Sequence, residues 1–354
     1  MGLFGRRRPE PAPPADAFTT AATRAAEAWR ALLASCVVRG PTGVLTVKEG
    51  PARSAAVAAV WPAGQVLAAA VDLRRLPWGG DRSEELLGAI ERYRVGPAYA
   101  PFPGSPEHYH DDNAWIGLVL AQLAAETGAE THLAGARRVL ATLEAGAAPG
   151  GGIRWREGVD SVHTCSTAPA VQLALRVHLL TGDPDALAFA EHQHEALDRL
   201  LRGSDGLYRD NVDARGRVEP TLWSYNQGTP IGAAVLRFRI SGDTRFLERA
   251  VETADATLDH FGVGDRWWTH PPVFNAIFFR NLLTLAAIVP QDRYLAVLDS
   301  YLERVWLEAR DPATGLFTGA GIGSYDRRPT IDQAGLVQLY ALRAWPPELW
   351  PDIC

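Results

Sequence analysis

Four times along the chain an Ala/Leu-rich helical pattern stops at a short turn and a second one starts at once. The turns are Thr127-Gly128-Ala129, Thr181-Gly182-Asp183, Ser241-Gly242-Asp243 and Val289-Pro290-Gln291-Asp292. Glycine ends a helix because it enters the left-handed region without a Cβ penalty, and Asp opens the next by capping its free N–H groups. The apolar spacing predicts helix pairs over 116–126 and 132–144, 168–180 and 186–201, 231–240 and 246–260, and 276–288 and 294–308. Further helices are expected over 16–33, 62–71, 82–93 and 331–342, about twelve in all, with no convincing strand. The turns recur at intervals of roughly 50–60 residues, which is a helical hairpin plus a long return loop. Short turns at one end and long loops at the other describe an all-α toroid of hairpins. An open α-solenoid is the alternative.

The expected layout is a leader over 1–15, disordered, basic and Pro-rich, followed by a single domain over 16–354. A chain of 354 residues, 47% hydrophobic and 21% charged, has ample material for one large core. Its net charge of −6 disfavours nucleic acid, which needs a basic face. No stretch reads as a signal peptide or a membrane span, so a cytoplasmic protein with no integral membrane segment is expected. Oligomeric state is not legible. The three cysteines (Cys36, Cys165, Cys354) are scattered and lack metal-ligand spacing. No metal and no cofactor are expected: His108 and His110 flank the acids described next, but no distant ligand partner is evident.

Long loops carry chemistry, and here they run over 146–158, 203–220, 261–272 and 311–329, all at one end of the toroid. They bear Trp155, Tyr208, Trp267, Trp268 and Tyr325, aromatics of the kind that stack on sugar rings. At the same end two aspartates stand together in His108-Tyr109-His110-Asp111-Asp112-Asn113-Ala114-Trp115. Neighbouring carboxylates reach a separation of about 5–6 Å, close to what a retaining glycosidase requires of its nucleophile and acid/base. A solvated helix start is the competing explanation for an Asp pair. A second polar-aromatic run, Trp223-Ser224-Tyr225-Asn226-Gln227-Gly228, precedes another apolar helix. Asn226 and Gln227 both donate and accept, which suits sugar hydroxyls, or alternatively the capping of backbone groups at a helix entry.

Taken in order, Asp111-Asp112-Asn113-Ala114-Trp115-Ile116-Gly117-Leu118 and Trp223-Ser224-Tyr225-Asn226-Gln227-Gly228 resemble glycoside hydrolase family 76, the endo-α-1,6-mannanases. Gly151-Gly152-Ile153-Arg154-Trp155 is similar to that family's Gly-Gly-Ile-x-Trp loop, and Phe274-Asn275-Ala276-Ile277-Phe278-Phe279-Arg280 to a later Phe-Lys-Gly-Ile-Phe-like segment. The resemblance spans residues 20–345. It implies an (α/α)6 barrel, retaining chemistry and an α-1,6-linked mannan or a related mannosylated glycan as the substrate partner. It also implies Asp111 as nucleophile and Asp112 as general acid/base, with Asn113, Trp155, Trp223, Tyr225, Asn226 and Gln227 as substrate contacts. Two departures bear on subsite detail: Asn275-Ala276 stands for Lys-Gly, and His163-Thr164-Cys165-Ser166-Thr167 replaces a more usual polar run. A transglycosylase on the same glycans, or a non-catalytic glycan-binding barrel, are the alternative functions.

Overall fold

The computed structural model describes residues 17–52, 55–77, 81–319, 321 and 328–353. The expected leader over 1–15, Tyr325 and Cys354 lie outside the described residues. Thirteen α-helices appear among the described residues: α1 (Ala17–Cys36), α2 (Val60–Leu73), α3 (Ser83–Ile90), α4 (His110–Thr127), α5 (Glu130–Ala145), α6 (Thr164–Thr181), α7 (Pro184–Leu201), α8 (Tyr225–Ser241), α9 (Thr244–Phe261), α10 (Arg266–Thr269), α11 (Pro272–Ala286), α12 (Asp292–Arg304) and α13 (Thr330–Arg343).

Helices α2, α4, α6, α8, α11 and α13 pack side by side in that order, and α13 returns to α2, so the inner ring closes. Each carries one outer helix: α3 on α2, α5 on α4, α7 on α6, α9 on α8, α12 on α11, and α1 on α13. The N-terminal helix thus completes the last hairpin and closes the toroid. This is the (α/α)6 arrangement. Inner helices are buried almost all round, whereas α9 and α12 show one apolar stripe, and the main core lies between the two rings.

Three of the four sequence turns close as glycine geometry requires. Gly128, Gly182 and Gly242 have φ of 66°, 73° and 72°. Beside each, one hydroxyl is used twice. Thr127, Thr181 and Ser241 donate to the carbonyl four residues back and accept the N–H two residues on. Asp183 and Asp243 then cap α7 and α9. The expectation of no strand is corrected. Among the described residues seven strands of two or three residues stitch the loops, including an antiparallel set of Val162–His163, Asn211–Val212 and Val218–Glu219. Such pieces satisfy loop backbone but are too short to show alternation in the sequence.

The inner helices also start earlier than their apolar pattern suggested: α4 at His110, α6 at Thr164, α8 at Tyr225, α11 at Pro272. Their first turns are polar or aromatic. All six therefore point their N-termini, and those turns, at one end of the barrel. Lower in the ring, Arg280 makes two 2.8 Å bonds to Asp72, tying α11 to α2 across the sequence. Gln338 bonds Gln65, and Gln172 bonds Asn281.

Candidate active site

The open end is built from equivalent positions. Trp61 on α2, Asp111 and Asp112 on α4, Cys165 on α6, Tyr225 on α8, Phe274 on α11 and Asp332 on α13 all fall within the first three residues of their helices. Inner-helix N-termini carry partial positive charge, so carboxylates are favoured there by the field and opposed by burial.

Asp111 and Asp112 lie inside the first turn of α4 rather than in a loop ahead of it. Asp111 Oδ2 accepts the indole N–H of Trp155 at 3.2 Å and the Cys165 thiol at 3.7 Å. Asp112 makes no side-chain hydrogen bond among the described residues. Burial raises both carboxyls. It pushes Asp111 up to about 6, against the pull of helix-start N–H groups and of Trp155 and Cys165. Asp112, desolvated and facing the charge of Asp111, is held well above the usual carboxylate range. The two acids therefore differ in kind: one is furnished with donors, the other has burial and a like charge. Environments that push paired acids apart assign them different protonation states at one pH.

A third carboxylate, missed in the sequence, stands nearby. Asp210 accepts from Asn226 Nδ2 at 3.1 Å and Asn211 Nδ2 at 3.0 Å, and its charge acts on Cys165, Tyr225 and His163. Its position in a loop of many charged residues gave no signal. Asp332, a fourth, accepts the N–H of Val273 at 3.2 Å, and burial takes its carboxyl to about 7.

Aromatics flank the acids on two sides. Trp155 stacks on His163 with centroids 5.7 Å apart and meets Tyr109 edge-on at 5.0 Å. Across the end of the barrel, Phe274 gathers Trp61, Trp223 and Tyr225 at 6.2, 5.5 and 4.2 Å. Of the aromatics expected on the rim, Trp155 meets the acids and others do not. Tyr208 is 1% exposed and packs with Val162, Leu197 and Leu201. Trp267 lies against Phe261, Phe278 and Phe279, and the Arg304 guanidinium covers the Trp268 ring. These rings fasten loops to the barrel.

Three amides expected at the substrate are engaged within the protein. Asn113 is fully buried, donates to the carbonyls of Tyr99 and Tyr109, and accepts the N–H of Tyr99. Gln227, also fully buried, donates to Tyr208 and Trp223 carbonyls and accepts the Tyr208 N–H. Gln333 does the same to both backbone groups of Phe317, and Thr167 accepts the N–H of Ile153. One side chain in the first turn of successive inner helices thus grips the neighbouring loop. Asn226, 0% exposed, orients Asp210. His110, which flanks the acids, bonds the Arg154 carbonyl through Nδ1 at 2.8 Å and fixes the Trp155 loop onto α4. No helix among the described residues is long and apolar enough to cross a membrane.

Comparison with known proteins agrees with this architecture. A family 76 glycoside hydrolase from a bovine Bacteroides thetaiotaomicron strain superposes with a TM-score of 0.80 at 25% identity, over 92% of this chain and 77% of that one. An inactive variant of the α-1,6-mannanase of a Salegentibacter species, with two adjacent aspartates replaced by asparagine and α-1,6-mannotriose bound, gives 0.71 at 19% identity, over 91% and 99%. The mannan endo-1,6-alpha-mannosidase DCW1 of Candida glabrata is 26% identical over 165 residues, a match that takes in 41% of this chain and only 37% of that protein. Residues 37–337 match glycosyl hydrolase family 76. The chain belongs to glycosyl hydrolase family 76.

Proposed function

We propose that this chain is a retaining glycoside hydrolase that cleaves α-1,6-linked mannan or a related mannosylated glycan, with Asp111 as nucleophile and Asp112 as general acid/base. The observation that carries the assignment is the unequal setting of two neighbouring acids at the open end of the barrel. Asp111 has donors that favour its charged form. Asp112 has none among the described residues, and burial and the charge of Asp111 favour its protonated form. A retaining mechanism needs that starting state. The Salegentibacter protein, in which replacement of two adjacent aspartates accompanies loss of activity, supports a paired-acid mechanism, and its bound α-1,6-mannotriose supports the linkage.

In the first step a carboxylate oxygen of Asp111 bonds to the anomeric carbon while the bond to the departing oxygen breaks. That oxygen takes the Asp112 proton. In the second, Asp112 removes a proton from water, the water oxygen bonds to the anomeric carbon, and Asp111 leaves as carboxylate. Trp155, Trp223 and Tyr225 supply ring faces for the sugar, and Asp210, oriented by Asn226, accepts from its hydroxyls.

The reading is tested by incubating the purified protein with linear α-1,6-mannooligosaccharides and following product masses. Shorter products support hydrolysis. Products longer than the starting sugar mean that a sugar hydroxyl, not water, takes the intermediate, and the protein is a transglycosylase. Binding without turnover makes it a glycan-binding barrel.

A further inference from the structure

The two oxygens of Asp111 are not equivalent. Oδ2 accepts from Trp155 and from Cys165, whereas Oδ1 is buried with no partner in hydrogen-bonding geometry. The thiol comes from the second residue of α6, is 4% exposed, and sits 4.0 Å from the Ser166 hydroxyl and in contact with the Tyr225 hydroxyl. An ionised carboxylate only accepts, so toward Asp111 the thiol must be the donor.

We propose that Cys165 is a positioning residue: its S–H, together with the Trp155 indole N–H, holds Oδ2 of Asp111 and so fixes the rotation of the carboxylate that attacks the anomeric carbon. This rests on the glycosidase reading given above. The C–O bond to the Asp111 carboxylate forms as the glycosidic bond breaks, the departing electron pair takes the Asp112 proton, and the Cys165 proton stays on sulfur throughout. Two donors on one oxygen leave the carboxylate a single orientation toward the open end of the barrel. A reactive thiol would serve badly here. Burial and the negative charges of Asp111 and Asp210 keep this one protonated, so the donor is always present.

Around Asp111 stand Asp112 on its own helix, Trp155 from the loop before α6, Cys165 on α6 and Tyr225 on α8, while His163 stacks on Trp155 and the charge of Asp210 acts on Cys165 and Tyr225. Of these, Trp155 and Cys165 donate to Oδ2. Removing the thiol therefore has a defined sign. The charged form of Asp111 loses a donor, so its carboxyl becomes harder to ionise and the acid limb of kcat/KM moves to higher pH.

The test compares the full chain with Cys165→Ala and Cys165→Ser. In Cys165→Ala the acid limb is expected to shift upward and kcat to fall about three- to tenfold with KM nearly unchanged, the size expected for a weak donor to a charged group. Serine restores a donor on a shorter arm and brings the limb part of the way back. A filler role predicts instead a change in stability with the limb in place. That result, in an enzyme that still cleaves its glycan, overturns the proposal.

A second readout needs no turnover. At about pH 8, where Asp111 is ionised, the infrared S–H stretch assigned by its loss in Cys165→Ala should lie at the lower frequency of a bonded thiol. It should return to the frequency of a free thiol in Asp111→Ala. A band that ignores Asp111→Ala overturns the contact itself. Absence of cleavage on every glycan overturns the glycosidase reading and leaves the infrared result to decide the hydrogen bond.

Discussion

Replacing the proposed nucleophile should make the protein more stable, and only on one side of a defined pH. Burial moves the Asp111 carboxyl from its ordinary 3.8 to about 6. Between those values the folded chain holds a proton that the unfolded chain has released. Stability contributed by this group is fully present below about pH 4 and declines as pH rises to about 6, because the folded state binds more protons there. At 1.36 kcal/mol per pH unit the penalty above that range is about 3 kcal/mol. Asp111→Asn removes the charge while its carbonyl still accepts from Trp155 and Cys165. Its NH2 takes the place of the unpartnered Oδ1 and gives back about 1 kcal/mol as an unmet donor. A net gain of about 2 kcal/mol at neutral pH corresponds to a rise in Tm of about 2–4 °C for a large single cooperative unit. Thermal unfolding followed by calorimetry at about pH 7.5 and about pH 4 is the assay. The gain should appear at the higher pH and vanish at the lower. An equal difference at both, or an Asn variant less stable at pH 7.5, refutes the assignment of a desolvated, reluctantly ionised carboxylate.

The same acids set the pH dependence of turnover. Activity requires Asp111 ionised and Asp112 protonated, so kcat/KM should be bell-shaped with its acid limb near 6 and its alkaline limb higher; a limb at about 4 contradicts the burial argument. Gln333→Ala leaves both backbone groups of Phe317 without a partner in a buried site and should cost about 2–4 kcal/mol by urea denaturation; a loss below about 1 kcal/mol removes the loop-gripping role. In Gly228→Ala the new Cβ would lie 2.5 Å from Phe278 Cα and 2.8 Å from the Ile277 carbonyl oxygen. Backbone cannot rotate away, so α8 and α11 must part, and a loss of at least about 3 kcal/mol is expected in the same assay.

How legible the molecule was in its sequence follows from what each residue does. The hairpins were visible because Gly128, Gly182 and Gly242 adopt a conformation that few other residues tolerate, and because the apolar faces on either side are long. The helix starts were not. The first turns of α4, α6, α8 and α11 hold Asp111, Cys165, Gln227 and Asn275, whose polar character interrupts the periodicity just where the barrel opens. Reading those turns as loops is what made Asn113 and Gln227 look available to a ligand. Their amides instead hold Tyr99 and Tyr208, a role that depends on which loop folds over which helix and so has no local signature. Trp267 and Tyr208 misled for a related reason: an aromatic in a loop suits either a sugar or a core, and only the tertiary neighbours decide. The acid pair was legible because adjacency fixes proximity without any knowledge of the fold. Asp210 and Asp332 come to the same end of the barrel through ring closure, which sequence distance conceals.

The central claim, that Asp111 and Asp112 act as nucleophile and acid/base in a retaining mechanism, is tested most directly by the stereochemistry of the first product. A linear α-1,6-mannooligosaccharide is incubated with the protein, and the anomeric signals are followed by NMR before mutarotation obscures them. The account predicts that the α anomer appears first and that Asp111→Asn and Asp112→Asn each abolish its formation while remaining folded. A β anomer appearing first, or full activity in either variant, contradicts it.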